Sequence, residues 1–268
     1  MFTFRNLTIL FFILLFSLNV IHFIGCRLDW LDGHLCSHVY VYMVILLGLY
    51  IGISVGMAFL IGSNFHHPAI CDGKTDEMIC SLTFDDGPDP VRTAEILTIL
   101  KREKIPATFF VIGKKLEGNE TLIREMDADG HLIGNHSWSH SVWFDFFRGK
   151  RIRHELEETG KAVYACIGKT PLLFRPPFGV INPTISKAID RLSLHAIGWN
   201  VRSYDTVQHD AKKTAARVLN KISPGSIILL HDHPANSPEL VEEIISGLNG
   251  LGYKIVPITQ LADINAYA

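Results

Sequence analysis

Between Asp32 and Asp72 the chain carries no Asp, Glu, Lys or Arg, and Arg5 and Arg27 bracket a second uncharged stretch rich in Leu, Ile and Phe. Each apolar run reaches the roughly 20 residues that a helix needs to cross a bilayer. The pattern predicts two transmembrane helices, about 7–25 and 39–62, forming a membrane hairpin over residues 1–64. A cleavable signal peptide is the rival for the first run, because Arg5 precedes a Leu/Phe core. That run is long, however, and Ile24-Gly25-Cys26 is a poor cleavage site. Gly48, Gly52 and Gly56 stand at four-residue spacing, which would let the first helix approach the second closely. Both ends of such a hairpin lie on one side of the membrane. Arg5, the terminal amine and Lys74 against Arg27 in the short loop make too small a difference to set the orientation. Cys26 and Cys36 belong to the loop and Cys71 and Cys80 to the far side, so only one pair could face an oxidising compartment. Cys166 reads as buried and inert.

The hairpin accounts for the excess of hydrophobic residues, 48% of the chain. Residues 65–77, with Pro68, Gly73 and the pair His66-His67, read as a linker, and 78–268 as an ordinary domain long enough for a sizeable core. With 25 basic and 27 acidic residues the charge is nearly balanced. That excludes a polyanion, and so nucleic acid, as an expected partner. Strand patterns cover Ile79 to Phe84, Ala107 to Ile112, His131 to Asn135, Leu172 to Phe174, Leu194 to Asn200, Ser226 to His231 and Lys254 to Pro257. Asp89-Pro90, Asn182-Pro183 and Ser237-Pro238 each place a capping side chain before a Pro at a helix start. Strands alternating with helices imply an α/β fold on a parallel sheet, either open and doubly wound or closed into a barrel.

The reactive residues favour the barrel. Asp85 and Asp86 follow the first strand, His136 and His140 the third, Arg175 the fourth and Asp205 the fifth, while His231 ends the sixth. In a parallel barrel those strand ends form one face, where sites are built. In Thr83-Phe84-Asp85-Asp86-Gly87 two adjacent carboxylates would repel unless their roles differ. A cation allows one to ligate while the other stays free as a base. His136 and His140, four residues apart, could point the same way on a helical turn and bind one metal. One Asp and two His leave positions open for water, as in a catalytic site. Lone histidines such as His66, His154, His195, His209 and His233 read as surface or core residues. In Arg175-Pro176-Pro177-Phe178-Gly179 only Phe178 and Gly179 keep backbone N–H groups that could face a developing oxyanion.

Together TFDDG at 83–87, HSWSH at 136–140, RPPFG at 175–179 and LLHD at 229–232 resemble, in order, the motifs of the polysaccharide deacetylases, the NodB-homology or carbohydrate esterase family 4 domain. The resemblance covers roughly Ile79 to Ala262. It implies a distorted (β/α)7 TIM-like barrel, here preceded by the two-helix transmembrane hairpin, and a hydrolase that removes acetyl groups from glycans with a divalent metal. By position, Asp85 resembles the catalytic base, and Asp86, His136 and His140 the metal ligands. Arg175 resembles the arginine that holds the base, His231 the general acid and Asp205 the carboxylate that orients it. Phe178, Gly179, Leu229 and Thr206 would line the substrate pocket. Where many members read Asp-x-x-Asp-Trp, this chain has Arg202-Ser203-Tyr204-Asp205-Thr206, so the pocket loses a ring unless Trp138 or Trp199 supplies it. Arg202 adds a positive charge suited to an anionic substrate.

The ligand types suit Zn²⁺ and are also compatible with Co²⁺, Ni²⁺ or Fe²⁺. Family substrates place the domain outside the cytoplasm, with an N-acetylated glycan or a lipid-linked sugar and the lipid bilayer as partners. Two other readings attach to the same scaffold: deacylation of a lipid-linked sugar or another non-polymer amide, and non-catalytic glycan binding.

Overall fold

The structure is a computed structural model. It describes residues 2–28 and 33–268, without the side chains of 33–37. The expectation for Cys36 therefore lies outside the described residues. Two long helices come first, α1 (Phe4–Arg27) and α2 (Gly33–Ala58). Both are long and apolar enough to cross a membrane. Phe12, Phe16 and Phe23 of α1 and Val44 and Leu49 of α2 are exposed, so an apolar medium is the one that would cover them. The helices meet through Tyr50, whose ring stacks on Phe11 at 4.5 Å and whose hydroxyl lies 3.2 Å from that of Thr8. Gly48, Gly52 and Gly56 face open space instead. The expected approach of α1 to that glycine stripe is thus corrected: the aromatic face, not the small-residue face, makes the contact.

The segment expected to link hairpin and domain is itself packed. Phe65 is buried, and Ile70 and Asp72 form isolated bridges to Ile197 and Ser226. Then follow β1 (Ile79–Asp85), α3 (Arg92–Glu103), β2 (Thr108–Val111), α4 (Glu120–Ala128), β3 (Leu132–Asn135), α5 (Gly149–Ile167) and β4 (Leu173–Phe174). The remainder comprises α6 (Pro183–Leu192), β5 (His195–Ala196), β6 (Val201–Arg202), α7 (Ala211–Leu219), β7 (Ser226–His231), α8 (Ser237–Gly250), β8 (Lys254–Ile255) and α9 (Ile258–Ala262). The pairings between these strands are all parallel, in the order β5-β4-β3-β2-β1-β7-β6, with β8 joined to the start of β1. The sheet curls into a partial barrel of the (β/α)7 kind, with seven strands along its path and β8 off it. Apolar residues fill both its faces, Leu82, Phe84 and Ile228 beneath the helices and Phe110, Ile197 and Ile227 inside.

Of the single strand expected from Leu194 to Asn200 only His195–Ala196 forms, and a second short strand, Val201–Arg202, follows it. Between them the carbonyls of Ile197 and Gly198 turn inward to accept from the Arg175 guanidinium at 3.2 and 2.8 Å, and so leave the ladder. Gly198 suits that break, because a Cβ there would press on Cys71 Sγ. Asp205 accordingly follows β6 and His231 ends β7. The three Pro-marked starts differ in kind. Asn182 caps α6 by accepting from the N–H groups of Thr184 and Ile185. Asp89 accepts from Val91 and Arg92 just ahead of α3. Ser237 does not cap α8; its hydroxyl donates to the His231 carbonyl at 2.9 Å.

Candidate active site

The register of β1 sets the site. It aligns Asp85 with His231 on one side and with Phe110 on the other, so the strand ends converge. Asp85 is still in the ladder, whereas Asp86 has turned to a φ of 73°, and the two carboxylates diverge. Gly87 makes the turn possible, since a Cβ there would overlap the buried Asp232 carboxylate.

Asp85 faces Arg175, which is fully buried. Arg175 Nη1 donates to Asp85 Oδ1 and to the Thr83 hydroxyl, each at 2.8 Å, while Nη2 and Nε hold the Gly198 and Ile197 carbonyls. Its guanidinium lies 4.2 Å from the Phe110 ring centroid. A buried cation is tolerated only when its donors are used this fully.

Asp86 faces the histidines. Its Oδ1 stands 3.2 Å from His140 Nε2 and 3.5 Å from His136 Nε2, and ligand atoms of all three lie within 4.8 Å of one another. His136 Nδ1 donates to the Arg175 carbonyl at 2.7 Å, which leaves the Nε2 lone pair facing the carboxylate. Burial, then the His136 charge, pushes the His140 imidazole down to about 4, so it is a neutral donor at neutral pH. Burial alone would raise the Asp86 carboxyl, but the surrounding histidines hold it below its ordinary value. Asp86 Oδ1 is buried without a hydrogen-bond partner among the described residues. One carboxylate oxygen and two imidazole nitrogens converging in this way fit a divalent cation of the transition series.

The expected helical turn for this histidine pair is not there. Residues 136–140 form an irregular loop with Ser137 and His140 at positive φ. Asn135 Oδ1 accepts from the Ser137 N–H at 2.9 Å, and the buried Glu155 carboxylate accepts from the Ser139 N–H and hydroxyl. The two rings still come together, with centroids 4.9 Å apart.

Across the cluster, one carboxylate clamps His231 twice. Asp205 Oδ1 accepts from His231 Nδ1 and Oδ2 from the His231 backbone N–H, both at 2.7 Å. Burial would lower that imidazole, but the Asp205 hydrogen bond and charge outweigh it and hold it above its ordinary value. Nε2 remains free to carry a proton.

Leu229 is buried beside the site. Phe178, at a φ of 58°, is half exposed, with its ring 4.9 Å from that of His140. The Gly179 N–H donates to the Pro176 carbonyl at 3.0 Å. The expectation that it could face an oxyanion is therefore corrected, which leaves the Phe178 N–H as the donor of that turn. Thr206 is exposed just past Asp205. Of the indoles of Trp199 and Trp138, the first lies beside Gly179 and Arg175, whereas the second leans on Gly113. Arg202 is exposed and stacks between Trp199 and Tyr204.

Sequence reading missed several neighbours. His233, read there as a bland residue, brings Nδ1 to 3.9 Å from Asp86 Oδ2. Its spacing of two after His231 was the available signal. Lys115 Nζ donates to the Asp86 carbonyl at 2.6 Å. Asp232, fully buried and pushed up to about 7 by burial, accepts from Thr93 at 2.5 Å and fills the space beneath Gly87.

The polysaccharide deacetylase family model matches residues 72–197. The chain is 35% identical over 190 residues to the peptidoglycan-N-acetylmuramic acid deacetylase PdaC of Bacillus subtilis, covering 70% of this chain and 40% of that protein. It is 31% identical over 191 residues to a peptidoglycan-N-acetylglucosamine deacetylase of Bacillus cereus, covering 69% and 89%. The solved structure of a family 4 acetyl xylan esterase from Clostridium thermocellum, in complex with a cobalt ion, superposes with a TM-score of 0.64 at 37% identity, covering 68% of this chain and 89% of that one. The chain thus spans about two fifths of the length of the first relative and most of the length of the other two.

Proposed function

This chain belongs to the polysaccharide deacetylase family, and on that premise we propose that it hydrolyses the acetamide of an N-acetylated glycan. The observation that carries this reading is the separation of two carboxylates at one strand end: Asp85 on Arg175, and Asp86 on His136 and His140. A divalent cation on Asp86, His136 and His140, Zn²⁺ by ligand type, would supply Lewis acidity to the attacking water and to the acyl oxygen. Asp85 is the general base: Arg175 holds its Oδ1, and Oδ2 takes a proton from water as the water oxygen adds to the carbonyl carbon. His231, held by Asp205, gives its Nε2 proton to the departing amine as the C–N bond breaks. The products are acetate and the free amino sugar. Leu229 and the Phe178 N–H border the acyl group, the N–H as a donor to the oxygen that becomes negative. The related deacetylases act on peptidoglycan sugars, which is the substrate class tested first. The test is acetate release by the full chain from N-acetylated oligosaccharides, measured with bound metal removed and returned.

In this reading α1 and α2 anchor the domain to a bilayer. The peptidoglycan sugars named for the relatives support a domain on the outer side, with the interhelical loop inside. The disulfide that Cys26 forms favours the reverse, with the loop on the oxidising side. Substitution of the exposed Glu117 by Cys separates the two. An impermeant thiol reagent should label that variant in intact cells beyond the level of the parent chain, whose free Cys71 and Cys166 are partly buried. Labelling that needs lysis would place the domain inside.

A further inference from the structure

The loop after His140 carries aromatic residues that the core does not use. Phe144 points inward and is fully buried, whereas Val142, Trp143 and Phe146 are 71%, 65% and 78% exposed. The Trp143 and Phe146 rings adjoin, with centroids 6.0 Å apart. Arg148, Lys150 and Arg151 follow directly and are all exposed. From 142 to 153 the one acidic residue is Asp145, whose half-buried carboxyl is raised to about 6 by burial. Exposed Trp and Phe beside a run of basic side chains match the chemistry of the headgroup layer, which accepts aromatic rings and, where anionic, attracts cations.

The position of the loop agrees with its composition. Phe146 borders a cleft together with Ser54, Val55 and Phe59 at the C-terminal end of α2, and Val180 closes the other side. The Ile181 N–H donates to the Ala58 carbonyl at 3.0 Å, and the Phe4 N–H to the Phe65 carbonyl at 2.8 Å. The loop therefore stands level with the last turn of α2, where the apolar span of that helix ends at Ala58. The site is close to this level too. His140 precedes Val142 by two residues, and Phe178, which touches the His140 ring, is three residues from Ile181, a reach of about 11 Å at most.

We propose that Val142, Trp143, Phe146 and the cations Arg148, Lys150 and Arg151 rest on the surface of an anionic phospholipid bilayer, so that the site opens onto the membrane and takes an acylated amino sugar carried there on a lipid. The contact continues the surface that the hairpin already commits to the bilayer, and an aromatic wedge with a basic patch supplies the two signals that stable interfacial binding requires. The substrate class rests on the deacetylase reading; the bilayer contact does not.

The full chain is placed in bilayers of phosphatidylcholine and phosphatidylglycerol in equal parts, with and without lipid brominated near the headgroup. The fluorescence lost on Trp143→Phe reports Trp143. We expect shallow bromine to quench that component more than bromine deep in the acyl chain. The triple variant Arg148→Gln, Lys150→Gln, Arg151→Gln should release acetate from a lipid-linked N-acetylglucosamine about tenfold more slowly than the parent. Both variants should keep the parent rate on a soluble N-acetylated oligosaccharide. A Trp143 signal indifferent to brominated lipid overturns the proposal, as does a triple variant that loses both activities alike. Quenching without acetate release from either substrate by the parent chain would instead overturn the deacetylase reading and leave the bilayer contact standing.

Discussion

Asp85→Asn is expected to bind its metal as the parent chain does and to lose about 10²–10⁴ of kcat. The amide is close in size to the carboxylate, and its oxygen can still accept from Arg175 Nη1, which now donates to Asp85 Oδ1 at 2.8 Å. The buried cation therefore keeps a partner, and the variant should fold. What it cannot do is take a proton from water. Asp86→Asn should behave differently, because Oδ1 is the oxygen that faces both imidazoles; metal affinity should fall first and activity with it. Metal content and acetate release, measured on both variants, separate the roles. Equal loss of metal in the two would show that the adjacent carboxylates share one task.

Arg175→Met is expected to cost about 3–5 kcal/mol of stability, because it leaves Asp85 as a buried charge with its partner gone. For a domain of this size that corresponds to a fall in the thermal midpoint of roughly 10 °C. The carbonyls of Ile197 and Gly198 and the Thr83 hydroxyl would lose donors as well. Arg175→Lys should recover part of the stability and little of the activity, since one ammonium cannot reach Asp85 and both carbonyls at once. Thermal unfolding of the full chain in detergent, followed alongside acetate release, checks both. An Arg175→Met variant as stable as the parent would mean that the guanidinium does not hold the strand ends together.

Much of this arrangement can be read from the amino-acid sequence because the site hangs on strand ends. Apolar runs that stop at Asp85, Asn135, Phe174 and His231 mark where parallel strands leave the sheet, and the residues beyond them must share one face. The break between β5 and β6 is harder to read. Ala196, Ile197, Gly198 and Trp199 look like continuous strand, and only the Arg175 side chain, arriving from a different strand, explains why the carbonyls there turn away. The loop at 136–140 escapes for a similar reason. Its shape depends on Asn135 and on Glu155, a carboxylate from α5 that accepts from Ser139, and four-residue spacing alone suggests a helix. Lys115 approaches Asp86 through a fold of the chain that carries no local pattern, whereas His233 is marked only by its place two residues after His231. The glycines of α2 mislead in the other direction, since their spacing invites a helix contact that Tyr50 makes instead.

The most direct test of a metal-dependent deacetylase is acetate release from an N-acetylated oligosaccharide by the full chain, first stripped by a chelator and then given Zn²⁺ or Co²⁺. The arrangement of Asp86, His136 and His140 predicts no release from the stripped protein and recovery on adding either ion. Undiminished release from protein shown to be free of metal would contradict it.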